Sequence, residues 1–336
     1  MTMTRPMGLS GTSSSGIPFF AEICGTAVIA ALGAIGFFFF PDDLAFLTRM
    51  ISIALLVLSL DLVTGYCGIA TLGHAALFGV AAYAAGNACL AGITEPLTLL
   101  FVGALTGALT GLASGALITR FHGLPQLVLS IAIGQLVASL CNKLSGLTGG
   151  SDGLAGISPA PVFGVFNFDM YGRTGYVFSV VTLAVVMVLL QRVVRSPFGL
   201  LCRAIKDDNL RARMIGASVY PRLVAMYGIS GAVAGVGGAL MAVNTGVVGL
   251  DSVGFERSAE VLVMLVLGGT GSLWGALSGA VAFQIFGHIV ATANPFHWMI
   301  LVGLMLIAIV LFAPRGLSHG VVSALSFLRR RLVGQS

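Results

Sequence analysis

Phe19-Phe-Ala-Glu-Ile-Cys-Gly-Thr-Ala-Val-Ile-Ala-Ala-Leu-Gly-Ala-Ile-Gly-Phe-Phe-Phe-Phe40 runs for about 22 residues with a single charge, Glu22. At 1.5 Å per helical residue, such a run crosses the ~30 Å hydrocarbon core of a bilayer. Its apolar core is longer than that of a cleaved leader and lacks a small-x-small exit, so it reads as a retained helix. Glu22 sits close enough to the membrane face to reach water. Outward from this stretch, similar segments recur at 44–65, 72–91, 97–119, 124–141, 175–191, 222–243, 258–268, 273–291 and 296–313. The eighth is too short for a straight crossing. It runs into Gly268-Gly269-Thr270-Gly271-Ser272, which predicts a broken or re-entrant element whose polar backbone must be satisfied by protein or a wet cavity.

The expected fold is an all-α membrane protein of about ten transmembrane helices. Residues 1–18 form a cytoplasmic tail, 19–318 one transmembrane domain with a cytoplasmic loop at 191–222, and 319–336 a basic cytoplasmic tail. Composition agrees: 57% of residues are hydrophobic and 9% charged, against about 25% charged in soluble domains. A water-facing surface cannot be built from this chain, so its partner is the lipid bilayer. The net charge of +5 and pI near 9.2 do not point to nucleic acid, because most basic residues lie in short loops between apolar runs. That distribution sets topology, with both termini inside. Five cysteines without a CxxC pair predict small buried hydrophobes, with neither a disulfide framework nor a metal site. Gly103, Gly107, Gly111 and Gly115 recur every four residues, and Gly231/Gly235 and Gly275/Gly279 repeat the spacing. Such stripes let helix backbones approach closely in lipid.

The loop from Gln191 to Arg222 predicts two short helices. Gly199 to Ile205 forms the first, Asp207-Asp208-Asn209 interrupts and caps, and Asn209 to Ile215 forms the second, with Gly216 at its C′ position. A compact helical elbow with charged and apolar side chains suits docking on another protein; an Arg-rich surface loop is the plainer alternative.

This elbow resembles the coupling segment of ATP-binding cassette (ABC) importer permeases, whose shared core is Ala-x-x-x-Gly, here Ala212 and Gly216. More narrowly, Ser196-Pro-Phe198-Gly199, Arg203-Ala204-Ile-Lys-Asp207-Asp208-Asn209 and Ala212-x-x-x-Gly216 are similar to LivM-type permeases of branched-chain amino acid importers. Four further stretches carry the same resemblance: Gly65–Ala76, Leu147–Leu154, Val266–Gly275 and Phe312–Leu317. Asp61 stands where that family commonly has Asn, and 121–128 is less similar. The resemblance implies a type II importer bundle and a division of labour. A periplasmic binding protein delivers branched-chain amino acids or related solutes, this chain and a second LivH-like permease form the path across the inner membrane, and two cytoplasmic ATPase subunits supply energy. The chain has no G-x-x-x-x-G-K-[ST] loop, since the glycine-rich 268–275 stretch contains no Lys. It is read as a non-enzymatic subunit without cofactor.

Candidate pathway residues are Asp61, Gly65, Gly68, Gly73 and His74, with Gly268, Gly269, Gly271 and Ser272. A carboxylate at membrane depth should face the bundle or a cavity, and Asp61 reads either so or as a residue at the inner interface. His74 reads as a structural hydrogen-bonding residue before a proton carrier. Thr148, Gly149, Gly150, Ser151 and Asp152 form an outer loop that either contacts the delivering protein or simply turns. The G-x-S-x-G match at 149–153 lacks the α/β context of a serine-hydrolase elbow and is accidental. An ion-coupled transporter or channel is the alternative reading, although Asp61 is almost the sole acidic group at depth. An intramembrane enzyme would need Ser130 and His288 paired with a base or nucleophile.

Overall fold

Helix boundaries follow local chemistry in the computed structural model. It describes residues 17–293 apart from 40, 42, 163, 165 and 169–171, together with 303 and 307, and only the backbone for 17–27 and 293. Most of the expected tail 1–18, the 296–313 segment, the 312–317 stretch and the 319–336 tail lie outside the described residues.

The long helices are α1 (Ile17–Phe39), α2 (Leu44–Leu60, continued by a π-helical turn Asp61–Tyr66), α3 (His74–Leu90), α4 (Pro96–Ile118) and α5 (Leu124–Lys143). A four-residue α6 (Ser145–Thr148) follows, then α7 (Arg173–Arg195), α8 (Pro197–Asp207), α9 (Asn209–Met214), α10 (Val219–Thr245), α11 (Phe255–Gly268) and α12 (Leu273–Ala293). Proline opens α4, α5 and α8 within their first two positions, where its missing N–H costs nothing. Among the described residues, six helical stretches are long and apolar enough to cross a membrane: Leu44–Tyr66, Pro96–Ile118, Leu124–Lys143, Arg173–Arg195, Val219–Thr245 and Leu273–Thr292. α3 has 17 residues and α11 has 14, so α11 reaches only about 21 Å. Outside the helices, β1 (Leu154–Ala155) pairs antiparallel with β2 (Val247–Val248).

The centre of the bundle is α10, flanked by α4, α3 and α2. α4 and α10 run antiparallel along a seam of glycine. A Cβ on Gly103 would meet Ala239 Cβ at 2.5 Å, and one on Gly107 would strike the Gly231 carbonyl and meet Gly235 Cα at 2.8 Å. A Cβ on Gly111 would meet the Tyr227 carbonyl at 2.7 Å, and one on Gly115 would meet Tyr227 Cβ at 2.6 Å. The opposite face of α4 is exposed through Phe101, Leu105 and Leu109, as lipid contact requires. α11 and α12 form a second tight pair, in which Gly268 faces Gly275 and Gly279. α2 is the most buried span, with Leu55, Leu56, Val57, Leu58 and Leu60 fully enclosed.

Candidate functional site

Residues 196–218 lie between the Arg173–Arg195 and Val219–Thr245 spans and fold as a helical elbow. Ser196 caps α8 by accepting from Gly199 N at 3.3 Å, and a Cβ on Gly199 would crowd the Val193 and Val194 carbonyls at 2.5 Å, so α8 turns directly off the end of α7. Asp208 caps α9 by accepting from Leu210 N and Arg211 N at 3.0 and 3.1 Å. It also pairs with Arg211 Nε at 2.9 Å. Gly216 follows α9 with φ +86°, a left-handed conformation that favours glycine. Ala212 is buried at 2% exposure, while Leu210, Met214 and Ile215 are 64%, 76% and 78% exposed. Ala212 therefore seats α9 on the bundle and the three large apolar side chains project away. Of the other expected coupling residues, Phe198 and Asn209 are half-buried and Arg203, Ala204 and Asp207 are exposed.

Three segments far apart in sequence meet where α8 touches the end of α2. The π-helical turn closes with Ile69 N on the Val63 carbonyl at 3.1 Å, and Thr64 Oγ1 donates to the Ile69 carbonyl at 3.0 Å. Gly65's carbonyl instead accepts Lys206 Nζ at 2.6 Å from α8. Arg203 lays its guanidinium over the Tyr66 ring, 4.6 Å from the centroid. A Cβ on Gly68, at φ +72°, would meet Lys206 Cγ at 2.9 Å. Cys67, next to Tyr66, and Cys202, next to Arg203, are both buried. From the other side, Gly271 N donates to Asp61 Oδ1 at 2.7 Å, which ties the turn between α11 and α12 to α2. A Cβ on Gly65 would strike Asp61 and meet Gly271 N at 2.5 Å. Asp61, Gly65, Gly68 and Gly271 thus share one joint with α8. Gly268 and Gly269 are buried beside it, and Ser272 accepts from Gly275 N at 3.3 Å as the cap of α12.

Beyond Tyr66 the chain leaves the helix and runs back into the bundle. α3 begins at His74 against Ser59 of α2 and Ser230, well inside the 27-residue α10. Its N-terminus therefore lies within the membrane, where a non-helical backbone needs protein partners. Hydroxyls supply them: Leu72 N donates to Ser130 Oγ at 3.1 Å, Ala75 N to Ser258 Oγ at 3.0 Å, and Thr71 Oγ1 meets the Tyr227 hydroxyl at 3.1 Å. Ser59 and Ser230 both direct their protons to backbone carbonyls, at 2.6 Å each. Both hydroxyl oxygens are then acceptors for His74, which must carry its proton on Nε2, at 3.1 and 2.9 Å from them. A Cβ on Gly73 would strike the Ser130 carbonyl, so α5 packs directly on this stretch. Ser130 is occupied structurally, and His288 stacks on Phe46 at 4.2 Å.

The bundle thus combines backbone broken at depth with an elbow pinned to the break. Residues 44–310 match the family described as the permease component of branched-chain amino acid transport systems. The chain belongs to that family. It is 28% identical over 299 residues to the high-affinity branched-chain amino acid transport system permease protein LivM of Escherichia coli (strain K12), covering 82% of this chain and 69% of that one. It is 26% identical over 222 residues to the fructose import permease protein FrcC of Rhizobium meliloti, covering 63% of this chain and 61% of FrcC. BraD, a high-affinity branched-chain amino acid transport system permease protein of Pseudomonas aeruginosa, is 29% identical over 169 residues, 47% of this chain and 54% of BraD. No solved structure matches the chain.

In this permease the outer-loop candidates divide. Thr148 is buried, with its hydroxyl on the Cys141 carbonyl at 2.5 Å, and Gly150 is buried beneath it. Gly149 and Gly150 hold φ near +72° and +61°, and only Ser151 and Asp152 of the five are exposed. Sequence reading missed Lys206, Leu210, Met214 and Ile215. Lys206 gave no signal because its partner is a backbone carbonyl, 141 positions away. The three apolar residues could have been found from their helical spacing outside any span. It placed α5 as a span at 124–141 but drew nothing from its exposed face of Val128, Ala132, Gln135, Ser139 and Asn142. A groove of about 520 Å³ lies at the start of that face, lined by Phe121, Leu124, Pro125, Val128, Leu129 and Ala132.

Proposed function

We propose that this permease works in an ATP-driven importer of branched-chain amino acids or related small solutes, as a type II bundle of about ten helices with both termini in the cytoplasm. The observation that carries the ATP-driven reading is the elbow. Leu210, Met214 and Ile215 stand exposed on α9 while α8 is pinned to the broken end of α2. An apolar cluster outside the membrane suits a protein partner, and the chain holds no phosphate loop, so two cytoplasmic ATPase subunits are the natural occupants. Closure of that pair would press α8 and α9 and move the joint. A second, LivH-like permease would face α5, because Gln135 and Ser139 are polar groups poorly suited to lipid. Solute would pass between the two permeases after delivery by a periplasmic binding protein to the face carrying Ser151 and Asp152.

The test is uptake of radiolabelled leucine into proteoliposomes holding the full assembly. Uptake is expected to require ATP and to be indifferent to an imposed proton gradient; gradient-driven uptake without nucleotide would favour the ion-coupled alternative. Within that assembly, replacing Met214 and Ile215 together by Ser should leave stability within about 0.5 kcal/mol. Docking, and with it uptake, should fall by more than about tenfold, as for anchors of an interface. A bulky residue at Ala212, which would lift α9 from its seat, should uncouple ATP hydrolysis from uptake while leaving the protein inserted.

A further inference from the structure

Asp61 is fully buried, and its two oxygens are treated differently. Oδ1 accepts from Gly271 N, whereas Oδ2 is enclosed without a hydrogen-bond partner among the described residues. Lys206 and Arg203 are the cations that α8 brings to the Asp61–Tyr66 turn. Neither bonds to Asp61 here: Arg203 lies over Tyr66, and Lys206 donates to the Gly65 carbonyl. Both acceptors border Gly271: its N–H is held by Asp61, a Cβ on it would meet the Gly65 carbonyl at 3.3 Å, and a Cβ on Gly65 would strike the Asp61 carboxylate. An unpaired carboxylate away from water is costly, and a nearby ammonium is the group that relieves it.

We propose that Asp61 and Lys206 are the positioning pair through which displacement of α8 reaches the turn between α11 and α12, the ammonium passing from the Gly65 carbonyl to the unpaired oxygen of Asp61. Because Asp61 also holds Gly271 N, a pull on the carboxylate changes the fit of the Gly269–Ser272 turn against α2. A Cβ on Gly68 would meet Lys206 Cγ at 2.9 Å, so glycine at that position is what admits the Lys206 stem to the Asp61–Tyr66 turn. This inference rests on the importer reading and assigns its transmission step to named atoms.

The experiment measures solute accumulated per ATP hydrolysed by the complete transporter in proteoliposomes, with stability of each variant followed by thermal unfolding in nanodiscs. Lys206→Met should keep ATP hydrolysis and lower the ratio about tenfold, within the range for residues along a coupling route. Lys206→Arg keeps a cation and should stay within about twofold of the original chain. Asp61→Asn retains the acceptor for Gly271 and removes only the charge, and it should also lower the ratio. Combined with Lys206→Met it should be no worse than Lys206→Met alone. A wild-type ratio in Lys206→Met, or a double variant as poor as the product of the two singles, would overturn the pairing. Should Lys206→Met not assemble, an unchanged ratio in Asp61→Asn overturns it equally. ATP-independent accumulation by the unmodified transporter would instead remove the importer reading on which the pairing stands.

Discussion

The α4–α10 seam and the joint at the end of α2 are both built on glycine, yet they solve different problems. In the seam, glycines of two regular helices face one another and the backbone hydrogen bonds stay within each helix, so the gain is dispersion between closely approaching main chains. In the joint the backbone is irregular, and its N–H and carbonyl groups are satisfied by hydroxyls and a lysine from elements far away in sequence. A seam of this kind has one good geometry, because any shift brings main chain against main chain. A joint held by side-chain hydrogen bonds can exchange partners one at a time. The difference separates a fixed frame from the part of the permease able to move.

The largest expected effect lies in the frame. Gly107→Leu puts a side chain where a single Cβ already strikes the Gly231 carbonyl. The neighbour is backbone and cannot rotate away. Overpacking of this sort costs about 3 kcal/mol or more, and the expected result is loss of monodisperse protein after extraction. Gly216→Leu is the contrast. Among the described residues no atom beyond its chain neighbours lies within 4 Å of its Cβ position, and only the φ of +86° opposes it, so the fold should survive. A well-folded Gly107→Leu protein would show that the seam gives more readily than its geometry implies.

The frame was legible in the sequence and the joint was not, for a physical reason. A four-residue glycine repeat is a local pattern that names a helix face, and Gly103, Gly107, Gly111 and Gly115 all lie on the face against α10. The helix segments were equally readable from apolar length: expected 273–291 against Leu273–Ala293, and expected 222–243 against Val219–Thr245. The stretch 72–91, read as spanning, is the instructive case. Its apolar length is sufficient, but α3 starts at His74 within the bundle, because the chain after Tyr66 turns back at Gly68. Nothing in the local composition of 67–73 distinguishes a loop at the membrane face from one at depth. The distinguishing residues are Ser130, Ser230 and Ser258, which are ordinary serines until the fold places them opposite bare amides. Asp61 and Gly271 likewise appeared as separate candidates, and only the fold joins them.

A middle-sized effect is expected from removing one of those serines. Ser258→Ala leaves Ala75 N, fully buried at the start of α3, without its acceptor. An unsatisfied amide away from water costs about 1–3 kcal/mol. Thermal unfolding in nanodiscs should fall accordingly, and hydrogen exchange at residues 72–76 should speed up while the α4–α10 seam stays protected. Equal acceleration in both regions would mean that the joint and the frame open as one unit.

The smallest effect is the most discriminating, because one residue belongs to both regions. Tyr227 presents its carbonyl and Cβ to Gly111 and Gly115 of the seam, its ring meets the His74 ring edge-on at 5.8 Å, and its hydroxyl reaches Thr71 at 3.1 Å. Tyr227→Phe keeps everything that touches α4 and deletes only the hydroxyl. Side-chain hydrogen bonds between membrane helices average about 0.6 kcal/mol, so stability should fall by about that much. Thr71 would keep the Gly73 N–H contact at 3.4 Å as its remaining tie. If the joint is the moving part, the variant should alter the rate of solute uptake by more than its stability change accounts for. If Tyr227→Phe instead loosens α4, seen as faster exchange along Gly103–Gly115, then the hydroxyl is holding the frame together, and the division between a fixed seam and a movable joint fails at the residue where the two meet.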